Sequence, residues 1–253
     1  MAAFRRRILP YGPEVAARPI MSGDYAHADV TIRQQPERSM NIRVIASMVL
    51  VCSVGMAVAQ ERRQLNLRGD RFKPLTWDEL VPGQKTMVED LLGGTRGTLN
   101  GPFNALLRSP EMGNLAQKLG EYVRFRSSVP RRLNEMAILM TAAWWSSQYE
   151  WHAHKTLALD AGLAAAVIDD IQAGRRPARM LPDEAVVYDF CAELRERRRV
   201  ADRTFRAAVD LLGERGVMDL VATLGYYDLV SMTLNVDRYP LPDGAPLPFA
   251  EPK

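Results

Sequence analysis

Between residues 76 and 239 the chain is punctuated throughout by helix starts and stops, and no alternation of apolar and polar residues runs long enough to make a strand. Strands repeat every second residue and helices about every 3.6, so this segment is committed to an all-α fold. Thr76 with Glu79 is a capping box that opens a short helix. Pro82 suits the first turn of the next, which runs to Leu92 and stops at Gly93-Gly94. Residues 93–104 hold four Gly and one Pro and read as a loop. Ser109-Pro110-Glu111 supplies a cap, a first-turn proline and an acid at the positive end of a helix continuing to Phe125. Pro130 opens another helix, and Ser147 restarts one that ends at Gly162. Residues 164–173 form a further helix closed by Gly174, with a loop at 175–181. Residues 182–198 are amphipathic, with Val187, Phe190, Cys191 and Leu194 on one stripe. Asp202 reads as the cap of residues 203–212, and a long apolar helix spans 217–236.

These signals define one helical domain at 76–239, a charged and flexible leader at 60–75, and a Pro-rich extended tail at 240–253. Within the domain, residues 136–145 are apolar on every side. A helix of that kind is buried in a core or against another subunit, so self-association is expected.

The region before the domain reads as a targeting segment. Arg43 precedes an uncharged apolar run at 44–58, and Ala57-Val58-Ala59 is a small-x-small cleavage signal placing the cut before Gln60. This is the pattern of a secretory signal peptide at 40–59, shorter than the roughly 20 apolar residues of a membrane span. The expected location is the periplasm, with no stable membrane insertion after cleavage. The alternative is an inner-membrane anchor formed by residues 44–59. Residues 1–39 then lie upstream of the true start, at Met40 or Met21, or form an Arg-rich tail left inside the cell. Cleavage removes Cys52 and leaves Cys191 as the single thiol.

The net charge of +3 resides entirely in residues 1–59, since residues 60–253 carry 26 basic and 26 acidic side chains. No basic stripe marks the domain, so a nucleic-acid partner is not expected. Two cysteines exclude a disulfide framework and a multi-cysteine zinc site.

Candidate chemistry concentrates between residues 131 and 162. Glu135 stands near the start of the most apolar helix. Ser147-Gln148-Tyr149-Glu150 opens the next, and His154 follows Glu150 by one turn on the same face. Two carboxylates beside an imidazole in apolar surroundings acquire shifted pKa values and exchange protons with a substrate. Each residue also has a plainer role. Ser147 and Glu150 make a capping box, His154 pairs with Glu150 along the helix, and Glu135 complements the helix dipole. His152 points elsewhere on a helix and reads as a surface residue. The Glu150–His154 pair has no second copy, so no metal site is expected. Cys191, on an apolar stripe, reads as an inert core thiol.

The stretch Arg131-Arg132-Leu133-Asn134-Glu135, then Tyr149-Glu150-Trp151-His152-Ala153-His154, then Ala158 with Ala161-Gly162-Leu163, resembles the carboxymuconolactone decarboxylase family, which includes the alkylhydroperoxidase D-like proteins. Gly101-Pro102-Phe103-Asn104-Ala105-Leu106-Leu107 and the late helix at 220–234 are also similar to its longer members. The resemblance covers residues 72–247 and implies the compact multi-helix fold of that family, assembled as a dimer, trimer or hexamer.

The resemblance implies one of two chemistries. In the peroxidase branch a Glu and a His flank a Cys-x-x-Cys pair, and here Glu135 and His154 match the Glu and the His. Ser147 and Glu150 stand where the cysteines would be, and a serine and a carboxylate cannot form a disulfide. The decarboxylase branch removes carbon dioxide from a carboxylated unsaturated lactone without any cofactor. On that reading His154 donates the proton, Glu150 orients and tunes it, and Glu135 is a second acid/base. Arg131 or Arg132 holds the substrate carboxylate, with Ser147 and Trp151 beside it, and Trp144, Trp145 and Tyr149 keep the pocket apolar. A decarboxylase acting on a small lactone or keto acid is therefore the leading expectation. The alternatives are an alkylhydroperoxidase-like antioxidant and a non-catalytic ligand-binding scaffold.

Overall fold

The computed structural model describes residues 64–250. A single 3-10 turn, Trp77–Glu79, precedes eight helices. In chain order these are α1 (Pro82–Gly93), α2 (Phe103–Leu106), α3 (Pro110–Phe125), α4 (Arg131–Trp144), α5 (Gln148–Asp160), α6 (Ala165–Gln172), α7 (Pro182–Arg197) and α8 (Asp202–Asp237). The fold is all-α, with no strand among the described residues. No helix among them is long and apolar enough to cross a membrane. The signal-peptide and anchor readings of residues 40–59, the upstream segment 1–39 and Cys52 lie outside the described residues.

Helix α4 is the hub, packing against α5, α6, α7 and α8. Leu133, Met136, Ala137 and Leu139 on α4 join Trp151, Ile168, Val187, Phe190 and Leu220 in the main core. The apolar stretch at 136–145 is therefore covered by the chain itself, and only Trp144 within it is broadly exposed, at 57%. That removes the argument for a partner subunit drawn from this stretch, because its apolar surface is already out of water.

A second core joins the leader to the first helices. Leu65 and Leu67 are buried with Met87, Leu91 and Phe103. The buried carboxylate of Asp237 accepts the backbone N–H of Arg71 (3.1 Å) and of Phe72 (2.8 Å), tying the leader to the end of α8. Residues 64–75 are thus docked, against the expectation of a flexible leader. The tail is irregular, as its prolines require. It is nevertheless held down, since Phe249 packs edge-on against Trp151 at 5.2 Å and exchanges two hydrogen bonds with the Gln148 side chain.

Smaller corrections concern helix ends. Residues 103 and 104, read as loop, begin α2. Ser109 makes no side-chain cap bond. Ala201 caps α8, and Asp202 is its first helical residue. The break expected between residues 212 and 217 falls at Gly213, whose φ of 70° interrupts α8. Such a backbone suits glycine, which has no Cβ to clash.

Candidate acid–base site

The turn between α4 and α5 sets the site. Ser146 adopts a left-handed φ of 46°. Its N–H bonds Ala143 O (3.1 Å), and Ser147 N–H bonds Ala142 O (2.9 Å). This is a Schellman ending, here with serine in the place glycine usually takes. It folds α5 back against α4, so that one turn of each helix faces the other.

Glu135 from α4 and Glu150 and His154 from α5 meet in that contact. His154 Nδ1 lies 2.6 Å from Glu135 Oε2, and His154 Nε2 lies 3.0 Å from Glu150 Oε1. All three residues are only 4% exposed. Both ring nitrogens face carboxyl oxygens, an arrangement that favours the doubly protonated ring. Burial alone would pull the imidazole pKa down. The Glu150 charge and the ring's hydrogen bonds to Glu135 and Glu150 outweigh it, and the pKa rises to about 9. The ring is further held by the edge-on face of Tyr227, 5.1 Å away.

The Ser147–Glu150 capping box is therefore not formed. Ser147 does occupy the N-cap, but its hydroxyl is buried and makes no hydrogen bond among the described residues. The Glu150 carboxylate turns to His154 instead.

Glu150 and His154 line a pocket of about 190 Å³ together with Arg96, Arg124, Tyr226 and Tyr227. Arg96 stacks over the Phe103 ring (5.0 Å) and Arg124 over the Phe125 ring (5.2 Å). Neither guanidinium forms an ion pair among the described residues, so both charges are available to an anion in the pocket. Glu135 stands behind the ring and does not line the pocket.

Other candidates are placed elsewhere. Arg132 pairs with Asp183 (2.7 Å) and Glu184 at the start of α7, a structural link. Arg131 is exposed at the first position of α4. Trp151 is 1% exposed in the main core, because its side chain leaves the helix about 100° round from Glu150. Ser147 lines a separate groove with Trp145 and Asn235. Trp145 donates its indole N–H to Asp228 (2.6 Å), and Trp144 carries the Arg195 guanidinium on its face. Of the aromatic residues expected to line the pocket, Tyr149 does so. His152 is half-buried and outside the triad.

Arg96, Arg124, Tyr226 and Tyr227 escaped the sequence reading. The available signals were an arginine inside a glycine-rich loop and two adjacent phenols inside an otherwise apolar helix. Cys191, the cysteine among the described residues, lies in the main core, where burial pushes its thiol up to about 12. It is neutral at physiological pH and far from thiolate chemistry.

No protein-family model matches the chain, and no curated protein matches it.

Proposed function

We propose that the chain is a cofactor-free carboxy-lyase of the carboxymuconolactone decarboxylase type, acting on a small carboxylated lactone or keto acid. The observation that carries this reading is the buried Glu135–His154–Glu150 triad opening on a pocket with two guanidinium groups that form no ion pair among the described residues. A cavity of about 150 Å³ holds one benzene ring. The pocket, at about 190 Å³, suits a single-ring acid.

Arg96 and Arg124 hold the anionic substrate. The bond to the departing carboxylate breaks, carbon dioxide leaves, and the electron pair delocalises into the conjugated carbonyl as an enolate. The proton on Nε2 of His154, shared with Glu150, is the transferable one because both groups line the pocket. It passes to carbon, the carbonyl re-forms, and solvent restores the imidazolium. Glu135 is a positioning residue that fixes the ring and holds the Nδ1 proton. The signal-like run at residues 40–59 supports an exported, periplasmic enzyme. A thiol peroxidase reading finds no support, since no cysteine among the described residues lines the pocket.

The test is carbon dioxide release from a panel of small carboxylated lactones and β-keto acids. His154→Gln should retain the fold and lower turnover by roughly 10²–10⁴-fold, as for loss of a general acid. Wild-type turnover in that variant would overturn the assignment. Binding of these acids with no carbon dioxide release from any of them would favour a ligand-binding scaffold.

A further inference from the structure

Beyond its break at Gly213, helix α8 carries one side that its own chain leaves uncovered. Met218, Val221, Gly225, Met232 and Val236 are exposed there, Met218 at 63% and Val236 at 54%, and Leu229 is half-buried. Their spacing of three or four residues keeps them on one stripe, about 27 Å long. Between Met218 and Val236 no exposed residue is charged. Asp219 and Asp237 are buried and hydrogen-bonded on the inner side. Asp228, at the edge of the stripe, is held by Arg195 (3.0 Å) and Trp145 (2.6 Å). The opposite side of the helix gives Tyr226, Tyr227 and Val230 to the pocket wall. A helix side that faces water is normally polar, and a continuous apolar stripe marks a contact surface.

The stripe reads the same in both directions about Gly225. Met218 and Met232 each lie seven residues from it, and Val221 and Leu229 each lie four. A two-fold axis at Gly225 therefore sets Met218 of each copy against Met232 of the other, and Val221 against Leu229. Such self-complementarity is what an isologous contact requires. A Cβ at Gly225 would meet nothing within 4 Å in its own chain, so internal packing does not account for the glycine. Glycine weakens a helix interior, and here it lets two helix backbones approach closely.

The charges at the two ends of the stripe agree with this arrangement. Exposed Glu214 lies eleven residues before Gly225, and exposed Arg238, whose ion pair with Asp70 is long at 3.7 Å, lies thirteen after it. In the antiparallel pair, Glu214 of one copy and Arg238 of the other therefore stand within about 3 Å of the same height along the seam, once at each end. A parallel pair would set each of these charges beside its own kind. A stable dimer buries about 800 Å² on each side, more than one helix stripe supplies. Helix α3 extends the surface. Its exposed Leu115 and Leu119 lead along one face to Tyr122, whose hydroxyl bonds Asp219 beside Met218 (3.0 Å).

We infer that this side of α8 is a two-fold interface between two copies of the chain, with the helices antiparallel and crossing at Gly225. The inference does not depend on the carboxy-lyase reading.

Sedimentation velocity on the full chain at micromolar concentration should give a dimer, or an even-numbered assembly built from dimers. Met218→Glu and Met232→Glu each put carboxylates from both copies into the seam and should weaken the dimer by about 100-fold or more. Both side chains are exposed in the single chain, so circular dichroism of the dissociated variants should show the same helix content. The register is read with cysteines, against the wild-type chain oxidised alongside. Gly225→Cys places two thiols at the axis and should oxidise to a covalent dimer, whereas Met218→Cys separates them by about 21 Å along the seam and should not. An equal mixture of Met218→Cys and Met232→Cys chains should cross-link between the two variants, which keeps the register testable if Gly225→Cys fails to fold. The interface would be overturned by a monomeric or odd-numbered wild type, or by a dimer that survives both glutamate variants. A disulfide forming as readily in Met218→Cys alone as in Gly225→Cys, or in the mixture, would overturn it equally.

Discussion

Two carboxylates, Asp219 and Glu150, are buried to nearly the same depth, at 6% and 4% exposure, and they do opposite things. Asp219 accepts the Tyr122 hydroxyl (3.0 Å) and both the N–H and the hydroxyl of Ser128 (2.7 Å each). These donors do not change charge near neutral pH. Burial pushes the Asp219 pKa up, but the Ser128 and Tyr122 donors outweigh it and hold it below the ordinary carboxylate value. The group is a fixed anion that ties the α3–α4 connection to α8. Glu150 faces an imidazolium whose proton can move, and it opens on a pocket. A buried charge alone therefore does not mark a reactive site. The mark is a partner that titrates, together with access for a substrate.

The sharpest way to break this comparison is to treat both clusters alike. His154→Gln should cost turnover on the scale given above, whereas Asp219→Asn should leave turnover within about twofold and lower the melting temperature by roughly 3–12 °C, the scale of charge-assisted hydrogen bonds in a chain of this size. Because its folded pKa is depressed, Asp219 contributes stability above its ordinary value of 3.8, and that contribution is lost as pH falls through the lowered value. Asp219→Asn should therefore lose stability near neutral pH and little in strong acid. A large loss of turnover in a well-folded Asp219→Asn would dissolve the distinction.

The arginines give a second contrast, with a smaller effect. Replacing Arg96 or Arg124 with Met should raise KM about 10- to 100-fold, because each removes a charge-assisted contact to the substrate anion. Arg132→Met should leave KM within about twofold and act on stability, since its guanidinium is spent on Asp183 and Glu184. Equal KM effects at Arg132 and Arg124 would show that the pocket has been assigned to the wrong arginines.

What was legible follows from how far apart in the chain the deciding residues lie. Pro82, Pro110 and Pro182 each sit in the first turn of a helix, and Gly162 and Gly174 each end one with positive φ, so local chemistry revealed those boundaries. Ser146 and Arg238 adopt the same left-handed ending without glycine, and nothing local announces them. The Glu150–His154 pair was readable because i,i+4 spacing on a helix is itself a contact. Glu135 stands out in the sequence as an acid near the start of the most apolar helix, and α4–α5 packing brings it to the imidazole. Arg131 and Arg132 enter only with the decarboxylase reading, from the stretch that carries the resemblance. The guanidinium groups at the pocket come instead from the loop after α1 and the last turn of α3. Tertiary packing alone assembles them with Tyr226 and Tyr227 from α8. The leader was misjudged for a similar reason, because Leu65 and Leu67 acquire a core only when α1 and α2 are in place.

The site as described requires His154 to be an imidazolium at neutral pH, held by Glu135 and Glu150. Its folded pKa is raised, so its contribution to stability is fully present below its ordinary value of 6.5 and is lost as pH rises through about 9. The direct measurement is an NMR titration of the His154 ring, assigned by comparison with His154→Gln and repeated in Glu150→Gln. The expected midpoint is near 9 in the wild type and clearly lower in Glu150→Gln, where the neighbouring negative charge is gone. A wild-type midpoint at or below 6.5, unmoved by Glu150→Gln, would mean that the carboxylates do not hold the proton and would contradict the site as described.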